Sequence, residues 1–254
     1  MKLINLDECV INALNLFIKI QLPKLDLSIY KRPLVVGSGN ATITGKLIVE
    51  DPDAIFADES NYKRKINKID CCIIISASGG KHAPIIAQEM NKSRKEVILI
   101  TNNANSPAQS YATQTYIFPK ETEPYTYNVS TYLGMILSKT KEDPKKILSF
   151  IKKLKVPKNL KKFDSYFILI PPEFENIKEM ISIKFDELFG SKISCRVFTF
   201  EQAKHSKTIV PSDKELFIGL GVENKLFGKQ KWNIKLPKGT GYAGIMSMGY
   251  YILG

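Results

Sequence analysis

The sequence predicts an α/β fold of two units, each a parallel sheet flanked by helices in a flavodoxin-like three-layer sandwich. Short runs rich in Ile and Val alternate with helix-length segments along most of the chain. These runs are apolar on both faces, which is typical of parallel strands buried between two helical layers. The alternation stops in a lysine-rich segment and then starts again, so the 254 residues are expected to form two units of one type.

The first unit, residues 1–140, contains five predicted strands. They lie at 33–39, 53–59, 71–80, 96–102 and 115–119. Helices are predicted at 82–92 and 125–139. Because helix-length stretches separate these apolar strands, a parallel sheet covered by helices on both sides is expected.

The segment 141–165 is predicted to connect the units. Asp143 before Pro144 forms an N-cap followed by a proline at the first helical position, which predicts a helix at 144–154. The second unit, 166–254, is predicted to repeat the pattern. Its strands are expected at 166–172, 193–200, 215–221 and 233–237, and its helices at 173–189 and 240–253. The repetition suggests an internal duplication.

The chain carries a formal net charge of +12, with lysine clusters at 63–68, 141–162 and 225–238. An anionic substrate such as a phosphate ester explains this sign. A nucleic-acid surface would also explain it. The sequence makes a nucleic-acid partner the less favoured of the two, because the lysines form no single stripe interleaved with aromatic residues.

Composition also limits the location and the cofactors. No apolar run approaches the roughly 18 to 20 residues of a membrane span, and the N-terminus lacks a signal-peptide cleavage site, so a cytoplasmic protein without membrane contact is expected. The cysteines show no C-x-x-C spacing and are expected to be reduced and buried. With two histidines in the chain, no metal and no cofactor are expected. The cysteines are Cys9, Cys71, Cys72 and Cys195.

The stretch "IIISASGGKHAPIIA" at 73–87 places small hydroxyl residues, glycines and a lysine where a strand meets a helix. Backbone N–H groups at the positive end of a helix dipole bind anions, and glycine lets the backbone approach a ligand closely. The junction therefore predicts a phosphate site, although the same pattern also suits an ordinary turn with N-capping serines. The predicted phosphate-binding residues are Ser76, Ser78, Gly79, Gly80 and Lys81.

A second glycine turn, "GSGNATITG" at 37–45, also follows a strand. Loops at the carboxyl ends of parallel strands are where open α/β sheets bind ligands, so Gly39 and Asn40 are candidate sugar-binding residues. The turn lacks the third glycine and the acidic residue of a dinucleotide-binding fingerprint.

The order of short motifs over residues 33–139 carries a resemblance to a known family. "VVGSGNA", "ADESNYKRK", "IIISASGGK", "VILITNNANSPAQS" and "EPYTYNVSTYLGMIL" follow one another. This order resembles the sugar isomerase (SIS) domain family, whose members bind phosphosugars with an S-x-S-G-x-T loop. The resemblance implies that Ser130 and Thr131 contact the sugar.

The second half resembles the second SIS unit of double-SIS phosphosugar isomerases, including the isomerase half of glucosamine-6-phosphate synthase. The segment "IKFDELFGSKISCRVFTFEQAKHSK" is similar to that family's K-x-x-E helix and E-x-K-H-G segment. The resemblance implies that Glu187 is the base, Lys184 its neighbouring lysine and His205 the ring-opening residue. It also implies a homodimer in which His205 reaches the partner's active site.

The chain departs from the family pattern at several positions. Lys81 replaces the threonine of the phosphate loop, Ala83 an acidic residue, Ala41 a serine and Ser206 a glycine. The sequence stops at Gly254, so the family's C-terminal tail is expected to be absent. These departures leave catalysis in question.

Three functions follow as hypotheses. The first is an aldose–ketose phosphosugar isomerase acting by ring opening and enediol proton transfer. The second is a non-catalytic phosphosugar sensor or regulator. The third is an amino-sugar phosphate deaminase or deglycase that uses the same site. Glu123 is a reserve candidate for the base, and His82 is expected either to touch the phosphate or to shield the helix end.

Overall fold

A computed structural model describes residues 4–206 and 212–254. The chain folds into two compact units. The N-terminal unit comprises residues 12–123 and 128–141. The C-terminal unit comprises the residues up to Ile11, residues 124–127 and residues 142–254.

Five strands and four helices belong to the first part of the chain. The strands are β1 (Leu34–Val36), β2 (Ile55–Ala57), β3 (Cys71–Ile75), β4 (Glu96–Thr101) and β5 (Gln114–Ile117). The helices are α1 (Leu6–Lys19), α2 (Asn40–Ile48), α3 (His82–Lys92) and α4 (Val129–Thr140). Helix α1 begins in the C-terminal unit and ends in the N-terminal unit.

The five strands form one parallel sheet in the order β2-β1-β3-β4-β5. This is the flavodoxin-like order, in which the direction of chain progression reverses between β1 and β3. Register places Leu34 beside Cys72 and Val36 beside Ile74, so the two strands end at the same edge. The loops that follow β1 and β3 therefore lie at the position where such sheets bind ligands.

Besides the start of α1, the described residues of the C-terminal unit hold four strands and four α-helices. The strands are β6 (Ser165–Ile170), β7 (Ser194–Thr199), β8 (Glu215–Leu220) and β9 (Gln230–Ile234). The helices are α5 (Pro144–Lys153), α6 (Lys178–Phe189), α7 (Phe200–Ser206) and α8 (Tyr242–Leu253).

These four strands form a second parallel sheet in the order β7-β6-β8-β9, which repeats the order of the first four strands of the N-terminal sheet. The predicted fold class of two parallel α/β units is thereby confirmed. The segment 221–229 between β8 and β9 contains no helix. The C-terminal unit thus lacks a counterpart of the β3–α3 junction.

Helix α5 forms as the sequence predicts. The Asp143 side chain accepts a hydrogen bond of 2.8 Å from the backbone N–H of Lys145, which caps the helix. The apolar side chains of Ile147, Leu148 and Ile151 are buried and fix the face that α5 turns inward. The lysines at the two ends of the helix, Lys145, Lys146, Lys152 and Lys153, are exposed.

Helices α4 and α8 are both capped by a glutamate that precedes them in the chain. Glu142 accepts bonds of 2.7, 2.8 and 2.9 Å from the backbone N–H groups of Gly241, Ala243 and Gly244 at the start of α8. Glu123 accepts a 2.9 Å bond from the N–H of Val129 at the start of α4. A carboxylate at this end satisfies orphan donors and complements the helix dipole.

The cysteines are buried as expected, except Cys195, which is partly exposed, and none of the four forms a disulfide. Burial raises the pKa of Cys71 to about 12. A thiol with a raised pKa is a weak nucleophile.

Some elements differ from the sequence prediction. Helix α2 begins at Asn40, so the glycine turn predicted at 37–45 is confined to its first three residues. The helix predicted from residue 125 begins at Val129, and the strand predicted at 233–237 lies at Gln230–Ile234. Among the described helices, none has the length and apolar composition to cross a membrane.

We predict that Glu142→Ala lowers the free energy of unfolding by about 2 kcal/mol, because three N–H groups of α8 lose a charged acceptor. The melting temperature should fall by roughly 4 to 8 °C in a thermal unfolding experiment. Glu223→Ala is the matched control, since its exposed ion pair with Lys225 contributes little. Equal melting temperatures for the two variants would show that the cap does not stabilise α8.

Candidate functional site

The β3–α3 loop, residues 76–81, turns tightly around its own backbone. The N–H of Gly79 donates to the carbonyl and the hydroxyl oxygen of Ser76, each at 3.2 Å. The N–H of Gly80 donates to Ser78 Oγ at 3.2 Å. The side chain of Ser78 is exposed and that of Ser76 partly exposed. The two serines thus shape the loop and also reach its surface.

A support segment, residues 101–108, holds this loop from the side of β4. The carbonyl of Ala77 accepts from the N–H of Asn102 at 3.0 Å and from Thr101 Oγ1 at 3.1 Å. The carbonyl of Ser78 accepts from Asn103 Nδ2 at 3.0 Å. Because a trans peptide directs its N–H opposite to its C=O, this anchoring turns the N–H of Ser78 away from the support segment.

Gly79 is the point of closest contact between the two segments. Its carbonyl accepts from Ser106 Oγ at 3.1 Å and from the N–H of Ala108 at 3.2 Å. A Cβ at Gly79 would overlap the Ser106 hydroxyl, and its φ of +60° is a conformation that favours glycine. The residue type at this position is therefore fixed by contact and by backbone conformation together.

Several backbone N–H groups of the loop are available to a ligand. Within the described residues, the N–H groups of Ser78, Lys81 and His82 have no intramolecular partner. Clustered backbone N–H groups beside a helix N-terminus form a concave site for anions. The arrangement is suited to the oxygens of a phosphate.

Lys81, the N-cap of α3, has a strained backbone. Its φ of 49° and ψ of −107° closely match the φ of 53° and ψ of −122° of Gly39, the N-cap of α2. A non-glycine residue in this region costs of order 1–3 kcal/mol, and such strain persists mainly at functional sites. The side chain of Lys81 is exposed, and it forms no ion pair in the part of the chain that the structure describes.

The β1–α2 turn supplies a second group of polar atoms at the same edge. Asn40 is 7% exposed, and its Oδ1 has no hydrogen-bond partner among the described residues. A buried amide oxygen without a partner is costly unless a ligand satisfies it. Ser38 Oγ donates a hydrogen bond to the carboxylate of Glu59. This bond is the main cause that lowers the pKa of Glu59, and the charge of His82 is a smaller one.

Ser130 and Thr131 are engaged inside the unit. Ser130 Oγ donates to Glu123 Oε1 at 2.9 Å and accepts from the N–H of Glu121 at 3.0 Å. Thr131 Oγ1 lies 3.4 Å from the same Glu123 oxygen. Both residues are buried, so the structure does not present their hydroxyls at the surface. Glu123 is occupied as a helix cap, which makes it a poor base.

In the C-terminal unit, the structure brings Lys184 and Glu187 together on α6. Lys184 Nζ lies 2.5 Å from Glu187 Oε2, donates to the carbonyl of Thr126 and lies 5.3 Å from the ring centre of Tyr250. The lysine side chain is fully buried, whereas that of Glu187 is 31% exposed. A buried cation beside a partly exposed carboxylate holds that carboxylate in one orientation, as a base requires.

His205 is not bonded to the Lys184–Glu187 pair within the described residues. It is exposed near the end of α7, a helix of seven residues. In the two described ranges, no hydrogen bond or ion pair joins it to Glu187 or Lys184. His82 is likewise exposed, at the start of α3.

The sequence analysis assigned no role to Thr101, Asn103 or Ser106. The motif "TNNANSP" contains all three and lies in the order of segments that resembles the SIS family. Their function is to hold the β3–α3 loop, which depends on contacts across more than 20 residues of sequence. Spacing within one segment gives no signal of such contacts.

We predict that Gly79→Ala destabilises the protein by about 3 kcal/mol, because the added Cβ overlaps Ser106 and the backbone is strained. Gly80→Ala is the control, since its nearest neighbour is Ser78 Oγ at 3.5 Å, an ordinary contact. Chemical denaturation measures both variants. Similar midpoints for the two would contradict the tight contact at Gly79.

We predict opposite effects of Lys81→Gly on stability and on binding. Glycine relieves the backbone strain, so the free energy of unfolding should rise by about 1 kcal/mol, while any binding of inorganic phosphate at the loop should weaken through loss of the charge. Lys81→Met keeps the Cβ and should weaken binding without the gain in stability. Denaturation and calorimetry measure the two effects. A lower free energy of unfolding for Lys81→Gly than for the wild type would contradict the backbone strain at Lys81.

No protein-family model matches the sequence, and no curated protein sequence matches it. Solved structures do match the fold. A glucosamine-6-phosphate deaminase from Thermotoga maritima aligns over 98% of this chain and 90% of its own, with 14% identity and a TM-score of 0.61. The C-terminal domain of glucosamine-fructose-6-phosphate aminotransferase from Francisella tularensis aligns over 98% of this chain and 93% of its own, with 12% identity and a TM-score of 0.59.

The tagatose-6-phosphate ketose/aldose isomerase of Escherichia coli is also similar. It aligns over 84% of this chain and 67% of its own, with 13% identity and a TM-score of 0.56. At these identities the similarity concerns the fold. The predicted resemblance to the double-SIS phosphosugar isomerases is confirmed at that level, and the chain has the two-unit fold of these proteins.

Proposed function

We propose that the protein binds a hexose 6-phosphate and interconverts its aldose and ketose forms as a homodimer. The observation that carries the proposal is the group of unpartnered N–H groups at the β3–α3 loop, beside the point where strand order reverses. Such loops bind the phosphate of a ligand. The net charge of +12 favours an anionic substrate.

The phosphate is assigned to the β3–α3 loop. The N–H groups of Ser78 and His82 donate to its oxygens, the hydroxyls of Ser76 and Ser78 add further donors, and Lys81 supplies a full charge. Gly80 leaves room for close approach. The unpartnered Oδ1 of Asn40 accepts a hydrogen bond from a sugar hydroxyl. Gly39 leaves open space in the same turn.

The chemistry is assigned to the residues that resemble the family's catalytic set. His205 of one protomer takes the proton of the anomeric hydroxyl and gives a proton to the ring oxygen, so the bond between C1 and the ring oxygen breaks and the ring opens. Glu187 then removes the proton from C2 of the aldose and returns it to C1 of the enediol, while the proton of the C2 hydroxyl passes to O1, which yields the ketose. Lys184 orients Glu187 through their 2.5 Å contact.

Two alternatives use the same phosphate loop. An amino-sugar phosphate deaminase is supported by the fold similarity to the deaminase of Thermotoga maritima. A non-catalytic phosphosugar sensor is supported by Lys81 and Ala83, which stand where the family's phosphate loop has a threonine and an acidic residue. Both would bind sugar phosphates, so turnover and its product separate the three proposals.

We predict that Glu187→Gln lowers kcat at least about 100-fold, with little change in KM, because the base is lost and the phosphate loop is intact. The assay follows fructose 6-phosphate, mannose 6-phosphate and glucosamine 6-phosphate by proton NMR, which also reveals release of ammonia. His205→Ala should impair ring opening. Asp186→Asn, an exposed neighbour on α6, is the control and should retain wild-type rates.

The outcomes separate the proposals. If the wild type turns over none of the sugars but melts at a higher temperature with one of them, the protein is a sensor. Release of ammonia identifies a deaminase. If the wild type shows no turnover of any sugar phosphate and no thermal shift with any of them, the phosphosugar assignment itself is wrong.

A further inference from the structure

The segment 145–162, "KKILSFIKKLKVPKNLKK", is the most strongly charged part of the chain. It contains eight lysines and no acidic residue in 18 positions. All eight lysines are exposed. They account for two thirds of the net charge of +12. They are Lys145, Lys146, Lys152, Lys153, Lys155, Lys158, Lys161 and Lys162. We call residues 145–162 the basic segment.

Pairing with acids neutralises some exposed lysines outside the basic segment, although not all of them, as Lys81 shows. Lys63 pairs with an acid at 2.7 Å, Lys225 with one at 3.3 Å and Lys229 with one at 3.2 Å. None of the eight lysines of the basic segment forms an ion pair with another described residue. The charge is therefore unneutralised where it is most concentrated.

The acids that border the basic segment are already engaged. Glu142 accepts three backbone N–H groups of α8. Asp143 caps α5 through the N–H of Lys145. Asp164 pairs with Lys214 at 3.3 Å. These three flanking acids are therefore held by other groups, which leaves the charge of the basic segment available to an external anion.

Packing fixes the direction in which the lysines point. Buried Ile147, Leu148 and Ile151 hold the inner face of α5. Lys145 and Lys152 are seven residues apart, as are Lys146 and Lys153, so each pair lies on one face of the helix. The segment after α5 extends the charge further. The charges are thus spread along the helix and the segment that follows it, which favours an extended anion over one small anion.

We propose that the basic segment binds the phosphodiester backbone of a nucleic acid. A linear polyanion carries one charge per roughly 3.4 Å of strand rise, so several phosphates lie within the roughly 15 Å length of α5. The sequence makes this partner the less favoured one because its lysines form no single stripe interleaved with aromatic residues. Contacts to phosphates do not require such aromatic residues. The aromatic residues of the segment and its edge, Phe150 and Phe163, are partly or fully buried, so binding depends on the backbone and not on base stacking.

An anionic membrane is the less suited partner. Amphipathic helices that bind membranes insert their apolar face, and the apolar face of α5 is buried within its own unit. The one strongly apolar exposed side chain of the segment is Val156, at 42%. Binding at the basic segment is therefore electrostatic, and its affinity should fall as the salt concentration rises, as it does for nucleic-acid binding.

We predict that the full-length protein binds a fluorescein-labelled single-stranded RNA with an affinity that falls steeply with salt. In fluorescence anisotropy, the variant Lys145→Gln/Lys146→Gln/Lys152→Gln/Lys153→Gln should lose about tenfold or more in affinity, and the slope of log K against log salt should shrink by about 3. Circular dichroism and thermal unfolding verify the fold of the variant. The same measurement with a labelled duplex DNA tests whether binding requires a single strand.

The matched control removes four ion-paired lysines, Lys63, Lys214, Lys225 and Lys229, by the same change to Gln. It has the same net charge as the first variant and should keep the wild-type slope within about 1. Equal losses in both variants would show an effect of net charge alone and overturn the proposal. Absence of binding by the wild type, or binding to phosphatidylserine vesicles and not to RNA or DNA, would also overturn it.

Discussion

The contact between Gly79 and Ser106 is the constraint on which the candidate site depends. Ser106 donates to the Gly79 carbonyl at 3.1 Å and occupies the space that a side chain would take. With Asn103 and Thr101 it anchors three successive carbonyls of the β3–α3 loop. Since those carbonyls are held in place, the loop N–H groups that have no partner among the described residues are held in place too, as the proposed phosphate site requires.

Strand order places this loop at a ligand-binding position. In the N-terminal unit the sheet reverses direction between β1 and β3, and both of the following turns contain unsatisfied polar groups. The C-terminal unit repeats the strand order but has no helix between β8 and β9. Its distinctive feature is the buried Lys184 beside Glu187. Related topologies thus carry different chemistry, an anion cradle in one unit and a carboxylate held by a lysine in the other.

Local patterns were enough to predict most elements but not the contacts that make the site. Runs such as "CCIII" and the Asp143-Pro144 cap are decided by neighbouring residues, and both appear as expected. Helix α2 was hidden because its sequence begins as a glycine turn, and α4 starts later than its apolar pattern suggests. The Glu142 cap of α8 and the Ser106 support of Gly79 both join residues far apart in sequence. Periodicity cannot reveal such contacts, because they exist only once the sheet has formed.

The most direct test of the account is to follow the backbone amides of the β3–α3 loop during a titration with glucose 6-phosphate by proton–nitrogen NMR. Formation of hydrogen bonds to a phosphate should move the amide protons of Ser78, Lys81 and His82 downfield in a saturable manner, and α6 amides should respond less. Saturable changes confined to other parts of the chain, with these three amides unmoved, would contradict the claim that the loop holds the phosphate.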